Sequence, residues 1–352
     1  MHKWLARSWL KRGFGACLLW PLSLVYQVLF NFHRGLYRTG VLKTERCAVP
    51  VIVVGNVVAG GAGKTPLVIA LVQHFKRQGL KVGVVSRGYG RQRKDCLEVL
   101  ENTPISDSGD EPALILRAQE APVFVANRRM EAVTALLAKY PAIQIIISDD
   151  GLQHHQLARD IDITVFDDRG IGNGWLLPAG PLRQPYTPTV SQPNHGLALH
   201  TGQSPAFEGY VSTRHLADYA LDANGHQVAL SSLKGQRLTA LAGIANPQTF
   251  FDMLRAVGLQ GIQTISLPDH FDFSGYAWPA SADSVVLCTE KDAVKMFKLP
   301  QFRSCNLLAV PLDFSPEPAF LAALDALLVP LLPMTSELPS THEHPNGQPN
   351  GH

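Results

Sequence analysis

VPVIVVGNVVAGGAGKTPLVIAL, from Val49 to Leu71, decides the fold of this chain. It opens as an apolar, β-branched run suited to a buried strand. It then bends through Gly60, Gly61 and Gly63 and enters a helix with Lys64, Thr65 and Pro66 in its first turn. Glycines let backbone N–H groups curl around a polyphosphate without a Cβ in the way, and the helix N-terminus adds the positive end of its dipole. Lys64 would reach the β/γ-phosphates and Thr65 would hold Mg²⁺. The run Val58, Ala59, Gly60, Gly61, Ala62, Gly63, Lys64, Thr65 is therefore expected to cradle a nucleoside triphosphate such as ATP. The strict pattern G-x-x-x-x-G-K-[ST] asks for glycine where this chain has Val58. A plain glycine-rich turn with a surface lysine is the competing reading, and the strand before and helix after weigh against it.

A second strand-like run, IQIIIS, ends in Asp149 and Asp150. In a P-loop protein a carboxylate at that place binds Mg²⁺ directly or through water, with the loop hydroxyl and phosphate oxygens completing the shell. Neighbouring side chains on a strand point opposite ways, so the two aspartates should have different tasks. A polar turn closing the strand is the simpler alternative.

The alternation continues. Strands are expected at Val51–Val54, Lys81–Val85, Val123–Ala126, Ile143–Ser148, Ile161–Phe166 and Leu197–His200, with helices at Thr65–Gln78, Pro112–Gln119 and Met130–Tyr140. This is an α/β pattern: a P-loop NTPase-like, mostly parallel sheet with helices on both faces and ligand loops at the carboxyl ends of its strands. After Pro193 the pieces become shorter and more polar, with a hairpin signal at Asn224-Gly225. From Arg237 the αβ texture returns. The expected organisation is a basic, apolar N-terminal segment over 1–45, a nucleotide-binding core over 46–205 and a β-rich connector over 206–235. A smaller α/β domain over 236–332 and a disordered tail over 333–352 follow. Two lobes imply a cleft that can close over donor and acceptor.

The 352 residues carry a net charge of +2, but the distribution is uneven. No acidic residue precedes Glu45, whereas Lys3, Arg7, Lys11, Arg12, Arg34, Arg38 and Lys43 are basic. Among them lies FGACLLWPLSLVYQVLF, from Phe14 to Phe30, short of the roughly 20 residues that span a bilayer as a helix. Trp4, Trp9, Trp20, Tyr26 and Tyr37 at its margins suit an interfacial helix or short anchor against anionic headgroups. A signal peptide and an amphipathic helix packed on the protein itself also fit. Cys17, Cys47, Cys96, Cys288 and Cys305 are scattered and odd in number, which argues against a disulfide framework or structural zinc site.

Four further stretches carry chemistry. Ser108-Gly109-Asp110-Glu111-Pro112 is expected at a strand-to-helix junction, where Asp110 either caps the helix or accepts a proton near the γ-phosphate. His270, in PDHFDF, fits proton handling with a carboxylate partner, and equally a structural role. Ser86-Arg87-Gly88-Tyr89-Gly90-Arg91 is either a substrate loop with Arg87, Tyr89 and Arg91 on glycine hinges or a solvated basic loop. The long Gly/Pro-rich run from Gly172 to Pro185 is of the kind that carries function, and its Arg183 could contact phosphate.

VVGNVVAGGAGKTP, SRGYGR, SGDEP, SDDGLQHH, GNGWLLPAGPLR, AGIANPQTFF, PDHFDF and TEKDAVK stand in the order seen in the tetraacyldisaccharide 4'-kinases, which the chain resembles up to about residue 330. The resemblance implies ATP-dependent phosphorylation of the 4'-hydroxyl of a tetraacylated glucosamine disaccharide 1-phosphate. That reaction makes lipid IVA for lipid A at the cytoplasmic face of the Gram-negative inner membrane. It implies Asp110 as catalytic base, His270 as its dyad partner and Lys64 as the loop lysine. Thr65, Asp149 and Asp150 would lie around Mg²⁺, and Arg87, Tyr89, Arg91, Gln153 and Arg183 on the lipid A precursor disaccharide. The inner-membrane lipid surface is the other expected partner, and no nucleic acid is. The family commonly has Arg-Glu where this chain has Arg183-Gln184, so one negative charge near the metal region is missing. A P-loop switch ATPase of the partitioning kind is the rival reading. It carries a lysine where this chain has Ala59 and gives no reason for SRGYGR or PDHFDF.

Overall fold

The computed structural model describes residues 8–119, 121–188, 196–277 and 284–332. Lys3, Trp4, Arg7 and the expected tail over 333–352 lie outside them. The chain builds two sheets. Strands β1 (Val51–Gly55), β2 (Val82–Ser86), β3 (Leu97–Val99), β4 (Val123–Val125), β5 (Ile145–Asp149), β6 (Ile161–Phe166), β7 (Gly196–His200) and β8 (Tyr210–Leu216) belong to the first. The second holds β9 (Tyr219–Leu221), β10 (Gln227–Ala229), β11 (Leu238–Ala242), β12 (Gln263–Ser266), β13 (Val285–Thr289) and β14 (Asn306–Val310). Strand β15 (Leu312–Pro316) returns to the first, giving a nine-stranded order β15-β8-β7-β6-β1-β5-β2-β4-β3 beside a six-stranded β10-β9-β14-β13-β11-β12. Both sheets are parallel at their centres; the first is antiparallel at both edges, and the second only at its β10-β9 edge, since β12 pairs parallel with β11.

The period of two in β1 explains the layers. Ile52 and Val54 pack with Leu67, Leu71 and Phe75 of helix Lys64–Arg77, while Val51 and Val53 pack with Val133 and Leu136 of helix Arg129–Lys139 on the other face. Leu67, Leu71 and Phe75 recur at the helical spacing that makes one apolar stripe, all fully buried.

The structure corrects the expected boundaries. Residues 206–235 are not one connector, because β8 joins the first sheet between β7 and β15 while β9 and β10 lie at one side of the second. Nor does the second lobe run to 332. Strand β15 pairs antiparallel with β8, and Phe320, Leu324 and Leu328 of helix Pro318–Leu328 join the cluster of Leu67 and Leu71. The two crossings between lobes lie side by side, tied by the Ala217 amide donating to the Pro311 carbonyl at 3.0 Å. Short amphipathic strands show which face they bury but not which sheet they join.

Candidate active site

The register of the first sheet builds the site. Strand β1 lies between β5 and β6, and Val54 stands opposite Asp149. The loop leaving β1 and the two aspartates ending β5 are thereby neighbours at the carboxyl edge of the sheet. Gly63 ends the loop at φ 81, a left-handed conformation, where a Cβ would meet the Thr201 hydroxyl at 3.2 Å.

Every loop carbonyl is turned away and pinned. The Arg169 guanidinium donates to the oxygens of Ala59 (3.2 Å) and Gly61 (3.1 Å), and is itself held by Asp167. The Asn56 amide donates to Val58 and Gly60 at 2.6 and 2.8 Å, and the Thr201 hydroxyl to Ala62 at 2.9 Å. Among the described residues, the amides of Gly60, Gly61, Ala62 and Gly63 donate to no backbone carbonyl. A concave row of free N–H groups at a helix N-terminus is an anion nest. Val58 and Ala59 differ from the rest of the expected cradle. Val58 is buried in the core and bridges Leu182, and the Ala59 amide is spent on Pro181 at 2.8 Å. The chain is extended there, which explains why valine replaces the usual first glycine.

Cations and carboxylates converge beside the nest. Lys64 Nζ lies 3.3 Å from Asn56 Oδ1 and 3.6 Å from Asp150, and Arg183 lies 3.0 and 3.3 Å from the same two groups. Asp150 adopts φ 48, and buried Arg129 holds its turn by donating to the carbonyls of Asp149 (3.2 Å) and Asp150 (3.3 Å). Asp149 is different. It is fully buried, and neither carboxylate oxygen has a hydrogen-bond partner. Burial, then Glu111 and Asp150, push its carboxyl above the usual range. A buried, unpartnered carboxylate next to half-buried Asp150, with the hydroxyl of buried Thr65 in the first turn of the helix that follows the loop, offers an all-oxygen donor set that fits a hard divalent cation.

Asp110 and His270 meet across the lobes. His270 Nδ1 is 3.0 and 2.9 Å from the two Asp110 oxygens, with His270 strained at φ 59. Lys291 Nζ is 3.3 Å from His270 Nε2, so Nε2 accepts and Nδ1–H donates to Asp110. Lys291 also pairs with Glu111 (3.4 Å) and Asp269 (3.2 Å), and Lys295 reaches Asp110 at 3.3 Å. Burial would raise the Asp110 carboxyl, but the hydrogen bond from His270, with Lys291 and Lys295, overrides it and holds the group below the usual range. The same bond raises His270, against burial and Lys291. Asp110 starts its helix behind a single helical turn, Ile105–Ser108, not behind a strand, and its carboxylate is committed to the other lobe.

Tyr89 overhangs His270 with ring centroids 5.3 Å apart, and Arg87 is exposed nearby. Arg91 is turned back on its own loop, donating to the carbonyls of Asp95 (2.7 Å) and Lys94 (3.1 Å). Gln153 donates to the Asn56 carbonyl and to Gln184 Oε1, both at 3.1 Å. The second lobe also covers the nest, since a Cβ on Gly61 would meet Ala245 of AGIANP at 3.1 Å. Lys291, Lys295, Glu111, Asn56, Arg129 and Arg169 were not singled out from sequence. Only the lysines left a signal, lying one helical turn apart in TEKDAVK.

Helix Phe14–Arg38 docks on the loop that carries Arg183. Ser23 donates to Leu176 at 2.9 Å, Tyr26 to the Arg183 carbonyl at 2.7 Å, and Trp9 to Pro178 at 2.9 Å. Contact is confined to one stripe, with Ala16 and Ser23 buried, and the rest of the apolar surface faces outward. By length and composition the helix can cross a membrane.

A family model described as tetraacyldisaccharide-1-P 4'-kinase matches residues 15–329. A tetraacyldisaccharide 4'-kinase of Polaromonas naphthalenivorans (strain CJ2) is 60% identical over 98% of this chain and 99% of its own length. One from Polaromonas sp. (strain JS666 / ATCC BAA-500) is 62% identical over 96% of this chain and 98% of its own length. The crystal structure of an LpxK from Aquifex aeolicus in complex with ATP superposes with a TM-score of 0.73 at 27% identity, covering 89% of this chain and 99% of that one.

Proposed function

Since the chain belongs to the tetraacyldisaccharide-1-P 4'-kinase family, and is thereby an ATP-dependent 4'-kinase of the lipid A precursor disaccharide, we propose that Asp110 is its general base and His270 the group that orients it. The observation that carries this reading is the 2.9 Å contact between an ionised, buried carboxylate of one lobe and a histidine of the other. Glu111, next in sequence, helps push the Asp149 carboxyl up, which puts the pair's own helix within electrostatic reach of the carboxylates around the nest.

Asp110 takes the proton of the 4'-hydroxyl as that oxygen forms its bond to the γ-phosphorus and the bond to the ADP oxygen breaks. His270 Nδ1–H keeps the carboxylate aimed, and Lys291 keeps the tautomer that allows it. The amides of Gly60 to Gly63 and the Lys64 ammonium hold phosphate oxygens where charge develops, which is most of the work in phosphoryl transfer. Thr65, Asp149 and Asp150 would hold Mg²⁺, which supplies charge neutralisation to the β/γ-phosphates. Arg87, Tyr89, Gln153 and Arg183 are the acceptor-side candidates, and Arg91 serves its own loop. Four acyl chains keep the acceptor in the bilayer, each buried CH₂ contributing ~0.8 kcal/mol, so the exposed face of helix Phe14–Arg38 brings the enzyme to the cytoplasmic leaflet.

The test is transfer of labelled phosphate from ATP to the lipid disaccharide. Asp110→Asn should lower kcat by roughly 10²- to 10⁴-fold, the usual worth of a general base, with nucleotide affinity nearly unchanged. His270→Gln should lower it less, by disorienting the base. Full activity in Asp110→Asn would remove the assignment.

A further inference from the structure

At its C-terminal end helix Phe14–Arg38 turns from apolar to basic. Phe14, Leu18, Leu22, Val25, Leu29 and Phe32 recur every three or four residues and stay more than half exposed. One turn beyond them Arg34 and Arg38 face Arg46 and Arg159 across a groove of about 310 Å³, with Tyr37 and Thr44 in its walls. That volume is at the small end of ligand sites.

The charge in the groove is unbalanced. Arg46 pairs with Asp160 at 2.7 Å, and Arg159 with Asp162 at 3.4 Å while also holding the carbonyls of Leu152 and His154. Among the described residues, Arg34 and Arg38 meet no carboxylate within 4.0 Å. Two guanidiniums therefore stay uncompensated. His155, also in the wall, has a buried Nε2 with no hydrogen-bond partner. Its imidazole is pushed down to about 4 by burial, then Arg159, His33 and Arg34, so it registers the same positive field and stays a neutral ring that keeps one N–H.

We propose that this groove binds the phosphate of an anionic bilayer phospholipid, fixing the depth and rotation of the helix at the headgroup layer. The place favours a lipid over a free anion. The guanidiniums sit where the exposed apolar stripe ends, which is where headgroup phosphates lie when such a stripe is immersed. The proposal rests on the helix lying against a bilayer. It adds that its basic end is a formed site and not a diffuse rim of charge.

The experiment measures partition of the full chain into vesicles of phosphatidylcholine, alone or mixed with phosphatidylglycerol. Wild type should prefer the anionic vesicles. Arg34→Gln with Arg38→Gln should lower that partition on the order of 30-fold, leaving neutral vesicles and the rate on detergent-dispersed substrate unchanged. His155→Phe keeps an aromatic side chain and every charge at neutral pH but removes the ring N–H, and should still weaken the anionic preference several-fold. No effect of His155→Phe would overturn the formed site in favour of diffuse attraction. Inorganic phosphate that displaces the anionic-vesicle interaction at low concentration would overturn the lipid as occupant. Binding to neutral vesicles without anionic preference sinks the site and spares the membrane reading, whereas binding to neither sinks both.

Discussion

Replacing Lys295 by methionine should destabilise the protein by an amount that grows with pH. Lys295 Nζ lies 3.3 Å from Asp110, with side chains only 12% and 6% exposed. Two unit charges at that separation attract by ~5 kcal/mol at an effective dielectric near 20, which is a ceiling for the loss. His270 and Lys291 stay beside the carboxylate and recover part of it. How much depends on the His270 proton. Its value in the fold is raised above the unfolded one of about 6.5, so its protonation contributes stability fully below about pH 6.5, lost as pH climbs through the folded value. Removing a neighbouring ammonium raises that folded value further and extends the window upward. Below it, imidazolium takes over the missing charge and the substitution should cost about 1 kcal/mol. Above it, a buried carboxylate is left with fewer partners and the cost should approach about 3 kcal/mol. At roughly 2 °C per kcal/mol for a chain of this size, Tm should fall by about 2 °C near pH 6 and about 6 °C near pH 9, read by thermal melting in detergent. An equal shift at both ends of that range would refute the charge sharing.

Asp149→Asn should stabilise the metal-free protein while abolishing the rise in melting temperature given by Mg²⁺ with ATP. In wild type the raised Asp149 carboxyl binds a proton the unfolded chain has lost, so metal-free stability falls as pH rises from the ordinary carboxylate value through the raised one; the variant should lose that slope, and a slope unchanged would contradict the assignment. Val58→Gly restores the usual loop pattern yet removes a buried side chain. It should cost about 2–4 kcal/mol of stability without lowering the KM for ATP, and a lower KM would show that the valine obstructs the nest. Gln184→Glu puts a charge beside Gln153 and should lower the Mg²⁺ concentration for half-maximal rate; an identical titration would make the family's glutamate irrelevant here.

Residues 51–71 alone determined that a buried strand, a phosphate-binding bend and a helix follow one another, because apolar periodicity and glycine placement are local properties. The same locality put Asp149 and Asp150 at a strand end and gave helix Phe14–Arg38 its apolar surface. What touches what across the fold was decided elsewhere. A loop of unusual residues flanked Asp110 and another flanked His270, but their meeting at 2.9 Å depends on how two sheets are joined through β8, β9, β14 and β15. Lys291 and Lys295 read as an ordinary charged helical face until the second lobe is placed against Asp110 and Glu111. Arg91 reads as a substrate contact until its own loop is seen to consume it. Short strands and long charged side chains choose partners by three-dimensional proximity, and a charge partner more than a hundred residues away leaves no mark on the local pattern.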